Sequence, residues 1–336
     1  MILVCQRKAL AWGLILFLVF SASAQAAERF SFVALGDMPY GAPVLTGPPY
    51  ERLIDAINRA APAFSIHVGD IKSGSTPCSD EEFRRQRAYF DSFKSALIYT
   101  PGDNEWTDCH REKAGKYDPL GRLNMLREIF YDTGPESLGA RPLMLDRQPN
   151  HGPEEFSDYV ENQRWIYEGI LFMTAHIVGS NNGFQTQRPA VVKEYYVRSR
   201  ANSAWIEDGF RIAEETGASA IVLAIHADVF EGRSQWTDWP ENSGFTETMR
   251  VFRKLAEAYR KPVLLIHGDS HVFRIDQPFT SANPDRKNQV LDNVTRLEVF
   301  GASDVHAVRI TVDLERPEIF GFAPLFGPGN RVFSDD

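Results

Sequence analysis

Four aspartates in this chain directly follow a glycine at the end of an apolar run: Asp37 in LGDMPY, Asp70 in HVGDIK, Asp103 in TPGDNE and Asp269 in HGDSH. His226 follows the run that ends at Ile225, and His271 stands two places beyond Asp269. A single Gly-Asp after a strand is an ordinary turn or helix cap, because aspartate accepts backbone N–H groups there. Four of them, joined by two histidines, are poorly explained by capping. Carboxylates that converge without cations repel one another and tend to hold protons. Bound metal ions resolve that conflict, so these six residues are the candidate ligands. The stretch YTPGDNEWTDCHR, residues 99–111, crowds Asp103, Asn104, Glu105, Asp108, Cys109 and His110 just past a strand. Taken alone it reads as a polar loop turning at Pro101-Gly102, but the other Gly-Asp sites make it part of a constellation.

The elements that must position these residues are legible as short apolar runs. Phe30 to Leu35, Phe64 to Val68, Leu97 to Tyr99, Ile170 to Ile177, Ile221 to Ile225 and Val263 to Ile266 lack alternation, as strands covered on both faces do. Helical patterns lie between them. Leu53, Ile54, Ile57 and Ala60 repeat at helical spacing, and Ser79 with Glu82 forms a capping box ahead of Phe83, Phe90 and Phe93. Trp205 to Ala213 and Met249 to Tyr259 read the same way. This βαβ rhythm predicts an α/β domain with a largely parallel sheet. Glycine is the natural partner of such a site, since it lets the chain turn at a strand's carboxyl end, where ligands bind. From about residue 110 to 165 the rhythm breaks into Gly, Pro and charge, with one helix expected from Leu120 to Tyr131. That segment reads as an irregular insertion in a domain spanning 28–336.

Residues 1–27 have the form of a cleavable leader: Arg7 and Lys8, an apolar stretch from Ala9 to Phe20, then Ala24-Gln25-Ala26. The apolar stretch is too short for a membrane span of about 20 residues. A periplasmic or secreted protein is therefore expected, with no membrane contact once the leader is removed. The formal charge is −9 and no long basic tract occurs, which argues against a nucleic-acid partner held by its phosphates. Cys5 falls in the leader, leaving Cys78 and Cys109, and two cysteines in an oxidising compartment are expected to pair. Both lie in loops that leave neighbouring strands, so a bridge would fix two candidate ligand loops relative to each other.

The ordered motifs from about Phe30 to His271 resemble the calcineurin-like metallophosphoesterases. That family's pattern is D-x-H, then G-D, then G-N-H-[DE], a lone His, and G-H-x-H. The helix SRANSAWIEDGFRIA, ahead of the strand leading to His226, is similar to the family's tryptophan-containing helix. The resemblance implies a two-sheet αββα sandwich flanked by helices and a dinuclear metal centre. By position it implies Asp37, Asp70, His226 and His271 as ligands, with Asp70 between the two metals and with Asp103 and Asp269 completing the set.

The chain also departs from that pattern. Pro39 stands in place of the first His, a loss shared with the purple acid phosphatase branch, but Ser73 stands where that branch has a tyrosine. Asp103 replaces the family's asparagine, Asp269 replaces a histidine, and Asn104 occupies the position of the catalytic His. More carboxylate and less imidazole favours Mn²⁺ or Mg²⁺, with Fe, Ca²⁺ or Zn²⁺ as alternatives. Asn104 can contact a substrate phosphate but supplies no proton, and His110 in the same loop is a candidate to replace that function or an ordinary surface residue. His67 and His267 read as core residues, His267 also as a support for a neighbouring ligand. Asn181 or Asn182, after His176, is placed at the cleft border. Trp236 and Trp239 are either a substrate rim or packing under a loop, and His306 is placed in a C-terminal strand with no assigned role. The expected function is hydrolysis of a small phosphomonoester or phosphodiester by two divalent metals. The alternative is a catalytically degenerate member of the fold that serves in binding.

Overall fold

Strand β1 (Phe30–Leu35) shows why the apolar runs lack alternation. Phe32 and Ala34 pack into a layer between two sheets, while Val33 and Leu35 pack outward against helices. The computed structural model to which this strand belongs describes residues 29–230, 239–286 and 288–331. The expected leader and Trp236 lie outside those residues.

The first sheet sets β1 beside β2 (Phe64–His67) and β3 (Ala96–Tyr99), all parallel, and continues on the other side of β1 with antiparallel β11 (Asp304–Val312) and β12 (Phe320–Arg331). The second sheet runs in the order β4 (Asp146–Arg147), β5 (Gln163–Tyr167), β6 (Ile170–Thr174), β7 (Ala220–Ala224), β8 (Val263–His267), β10 (Val294–Glu298) and β9 (Arg274–Asp276). Its middle strands β6, β7, β8 and β10 are parallel, and the strands toward each edge are antiparallel. Phe32, Phe64, Ile66 and Ile98 of the first sheet meet Phe172, Val222, Leu264 and Leu297 of the second in one buried layer.

Helices cover both outer faces. Pro43–Ala60, Asp80–Asp91 and Pro119–Phe130 bury Leu53, Phe83, Phe90 and Leu126 over the first sheet. Pro189–Glu215 and Thr246–Tyr259 bury Ile206, Phe210, Met249 and Phe252 over the second. The result is the two-sheet αββα sandwich. Ser79 caps its helix as the sequence indicated, accepting the Glu82 backbone N–H at 3.1 Å. The 110–165 segment supplies the Pro119–Phe130 helix, whose apolar side joins the core over the first sheet, and its end feeds β4 and β5 of the second. Among the described residues no helix is long and apolar enough to cross a membrane.

Because β1, β2 and β3 of one sheet and β7 and β8 of the other end at the same edge, the loops after them meet there. The approach is close: a Cβ on Gly69 would stand 2.4 Å from the Gly102 nitrogen, and Gly69 has φ 98°. A side chain at that position would separate two of the Gly-Asp turns.

Candidate metal centre

Three of the four Gly-Asp turns throw the carboxylate inward by an uncommon backbone conformation. Asp37, Asp70 and Asp269 have positive φ, at 55°, 54° and 79°, as does His271 at 61°. Such residues cost of order 1–3 kcal/mol each and persist where the surroundings over-determine them. Here the surroundings are reciprocal hydrogen bonds between the turns. The Asp37 N–H donates to the Gly69 carbonyl (2.9 Å), the Asp269 N–H to Asp37 Oδ1 (3.0 Å), and the Asn104 N–H to Asp70 Oδ1 (3.1 Å). Glu105 closes the third turn, its Oε1 accepting from the Ile71 and Gly102 N–H groups (both 3.2 Å) and from the Tyr99 hydroxyl (3.0 Å).

His226 sits at the centre. Its Nδ1 lies 2.8 Å from the Val68 carbonyl oxygen, so Nδ1 carries the proton and Nε2 faces the carboxylates. Nε2 is 3.0 Å from Asp103 Oδ1, 3.4 Å from Asp70 Oδ1 and 3.8 Å from Asp269 Oδ1. Two groups of ligand atoms result, each within 4.8 Å: Asp37, Asp70 and His226, and Asp103, His226 and Asp269. His271 Nε2 approaches from the solvent side, 3.6 Å from Asp37 Oδ1.

The electrostatics call for positive charge. Burial, with the neighbouring carboxylates adding to it, pushes Asp37 and Asp70 well above the usual carboxylate range, against the pull of His226. Burial works against a charged His226, yet Asp70, Asp103, Asp269 and Asp37 together raise it well above its ordinary value. Burial also works against a charged Asp103, but the hydrogen bond and charge of His226, with Asp108 and Ser180, hold it well below. Asp37 Oδ2 is buried with no hydrogen-bond partner among the described residues. A Cβ on Gly179 would stand 2.6 Å from Asp103 Oδ1 and 2.7 Å from Asp269 Oδ1, so a glycine keeps that side of the ligand set open. An orphaned carboxylate oxygen, crowded acids and an open cradle fit divalent cations.

The structure brings Asp37, Asp70, Asp103, His226, Asp269 and His271 to one place. The Asn104 amide nitrogen donates to Asp70 Oδ2 and to the Tyr40 hydroxyl (3.1 Å). His110 is half-buried with its Nδ1 2.7 Å from the Thr107 carbonyl oxygen, and makes no hydrogen bond or ion pair to the six among the described residues. Cys78 and Cys109 are bridged. His67 and His267 are fully buried, and desolvation lowers them to about 3 and about 4 respectively, so both are neutral core imidazoles. His176 is buried beside Glu161 at 3.1 Å. Trp239 packs against Phe230 and Phe279, and His306 lies against the rings of Phe300 and Phe326.

Several residues at the site carried no role in the sequence reading. The Tyr40 hydroxyl donates to Asp70 Oδ2 at 2.6 Å. The Ser180 hydroxyl lies 2.8 Å from Asp103 Oδ2 and 3.0 Å from both carboxylate oxygens of Asp108. Ser180, Asn181 and Asn182 are consecutive left-handed residues, tied down by the buried Arg198, which donates to the Asn182 side-chain oxygen (2.5 Å) and carbonyl (2.8 Å). The signal for Tyr40 was its place three after Asp37. For Ser180 it was the Gly-Ser-Asn-Asn run, which reads equally well as an ordinary turn.

No family model matches this chain, and no curated protein matches it. Solved structures do. A purple acid phosphatase from yellow lupin seeds is 12% identical, with a TM-score of 0.48, over 89% of this chain and 54% of its own. GAP50, the anchor in the inner membrane complex of Plasmodium, is 9% identical with a TM-score of 0.44, over 89% of each chain. A 5'-nucleotidase from Candida albicans is 10% identical with a TM-score of 0.41, over 88% of this chain and 50% of its own. The chain spans about half the length of the two enzymes.

Proposed function

We propose that this chain is an exported, metal-dependent phosphoesterase whose two divalent cations share Asp70. The observation that carries the reading is the convergence of Asp37, Asp70, Asp103, His226, Asp269 and His271 from the ends of five strands in two sheets. Asp37, Asp70 and His271 would hold one cation, and Asp70, Asp103, His226 and Asp269 the other. Bound there, the cations supply Lewis acidity toward a phosphate ester and toward water.

The chain's own residues do the rest. Val68 fixes the imidazole of His226 so that Nε2 stays a ligand. Tyr40 and Asn104 orient Asp70 by donating to Oδ2, and Ser180 orients Asp103. Asn104 offers an amide donor but no titratable proton, so the leaving group departs without acid help from that position. General acid help is typically worth about 10² to 10⁴ in rate. A slow enzyme, or one whose leaving group is itself a good one, follows from that difference.

The donor set of four carboxylates and two imidazoles favours Mn²⁺ or Mg²⁺ over Zn²⁺. The test is to strip the protein, restore each metal in turn, and follow hydrolysis of aryl phosphate mono- and diesters. Strongest activity with Mn²⁺ or Mg²⁺, at neutral to alkaline pH, supports the reading. No turnover by fully metal-loaded protein would favour the degenerate, binding alternative, which Asn104 in place of an imidazole motivates.

A further inference from the structure

Arg111 stands at the rim of the metal centre with a geometry that the reaction as described above does not use. Its Nη2 is 2.6 Å from Asp108 Oδ2 and 3.3 Å from the Ser180 hydroxyl, and that hydroxyl also touches Asp103. One side chain therefore separates the guanidinium from a candidate ligand. A Cβ on Gly74 would stand 3.3 Å from Arg111 Nη1 and 2.7 Å from Asn104 Oδ1. The glycine, having no Cβ, thus lets the second guanidinium nitrogen and the Asn104 side chain close on the same point.

The pairing of Arg111 with Asp108 is asymmetric. The Asp108 side chain is 1% exposed and the Arg111 side chain 50%. An ion pair with one partner so exposed adds little to stability. What it does is hold a planar, permanently charged donor in one orientation before any ligand arrives, which lowers the entropy cost of binding. Lys72, by contrast, is fully buried with its Nζ on the Ser73 carbonyl and cannot serve a ligand in the cleft.

We propose that Arg111 is the phosphate-recognition arm of this site and that it selects phosphomonoesters. The inference rests on the phosphoesterase reading. A monoester carries two negative charges and three terminal oxygens, whereas a diester carries one charge and two such oxygens. A guanidinium fixed at the rim rewards the additional charge and oxygen through charge-assisted hydrogen bonds. Asp108 and Ser180 act through it, as positioning residues.

The experiment uses the full protein loaded with Mn²⁺ and measures binding of inorganic phosphate by calorimetry. Arg111→Gln is expected to weaken phosphate binding about 10- to 100-fold, the range for losing a hydrogen bond to a charged group, and Arg111→Lys to recover part of it. The loss in kcat/KM should be at least about tenfold greater for an aryl phosphomonoester than for the diester. The thermal midpoint and metal content should not change, since a purely structural role would move those instead. Equal phosphate affinity in the native protein and Arg111→Gln, equal losses on both esters, or metal-loaded native protein that binds no phosphate, would each overturn the proposal. Phosphate binding that depends on Arg111, in a protein that hydrolyses neither ester, would uphold it while refuting the hydrolase reading.

Discussion

Replacing Cys78 and Cys109 together by alanine should cost this protein about 4 kcal/mol of stability. The bridge spans 31 residues, and in the chain-entropy account a closed loop of that length removes roughly 12 cal/mol/K from the unfolded ensemble. Both residues are fully buried, and their sulfurs lie 3.4 and 3.6 Å from the Asn104 carbonyl oxygen. The bridge therefore sits directly beneath the turn that carries Asp103 and Asn104. Loss of the bridge should lower metal affinity as well as global stability. Guanidinium and thermal melts separate the two effects when run with chelator and again at fixed excess metal, because bound metal adds its own stabilisation by mass action. The chelated variant should melt about 5–10 °C below the native protein, and the gap should widen when metal is present. A loss under about 1 kcal/mol, or free thiols in protein taken from an oxidising compartment, would refute the reasoning.

Gly179→Ala should remove metal without unfolding the chain. Its Cβ would meet Asp103 Oδ1 and Asp269 Oδ1 at 2.6 and 2.7 Å, while Gly179 is not in the left-handed region and alanine meets no backbone strain there. Metal content should fall while the chelated melting curve stays put; unchanged metal content would show that the cradle has room to spare. A third expectation concerns acid. Burial opposes a charged Glu161, but Arg127 and His176 hold it down to about 2 from 4.5, so the unfolded chain binds the proton first as pH falls. That stability is intact above about pH 4.5 and is lost toward pH 2, on the order of 3 kcal/mol in all. Denaturant melts from pH 5 to 2.5 should show the slope, and Glu161→Gln should flatten it. An identical slope in the variant would assign acid lability elsewhere.

The site was legible because its geometry is written locally. A glycine followed by aspartate at the end of an apolar run specifies a sharp turn and an inward carboxylate with no reference to distant residues. Residues that reach the site from elsewhere left weaker marks. Tyr40 and Ser180 meet Asp70 and Asp103 only because separate loops converge, and their residue types are common in turns. Parallel strands inside the sandwich read clearly, since both faces are apolar. The antiparallel margins read less clearly, with only a C-terminal strand at His306 expected, which is β11. β12 carries Gly321, Pro324, Gly327 and Pro328, which read as breakers but are tolerated in a strand at the sheet's edge. β10 hides a buried arginine, Arg296, that pairs with Asp276 at 2.5 Å across to β9. One helix start was missed for the same local reason: Pro43–Ala60 runs through Pro48 and Pro49 within its first turns, ahead of the periodic residues from Leu53.

The most direct test of the dinuclear centre is anomalous diffraction at the manganese edge from crystals of the Mn²⁺-reconstituted protein, paired with metal content per chain for the native protein and Asp70→Asn. Two anomalous peaks should appear, one among Asp37, Asp70 and His271 and the other among Asp70, Asp103, His226 and Asp269, and Asp70→Asn should lose both because on the proposed reading one carboxylate would serve two cations. A folded native protein without a peak among these residues, or Asp70→Asn with native metal content, would contradict the account.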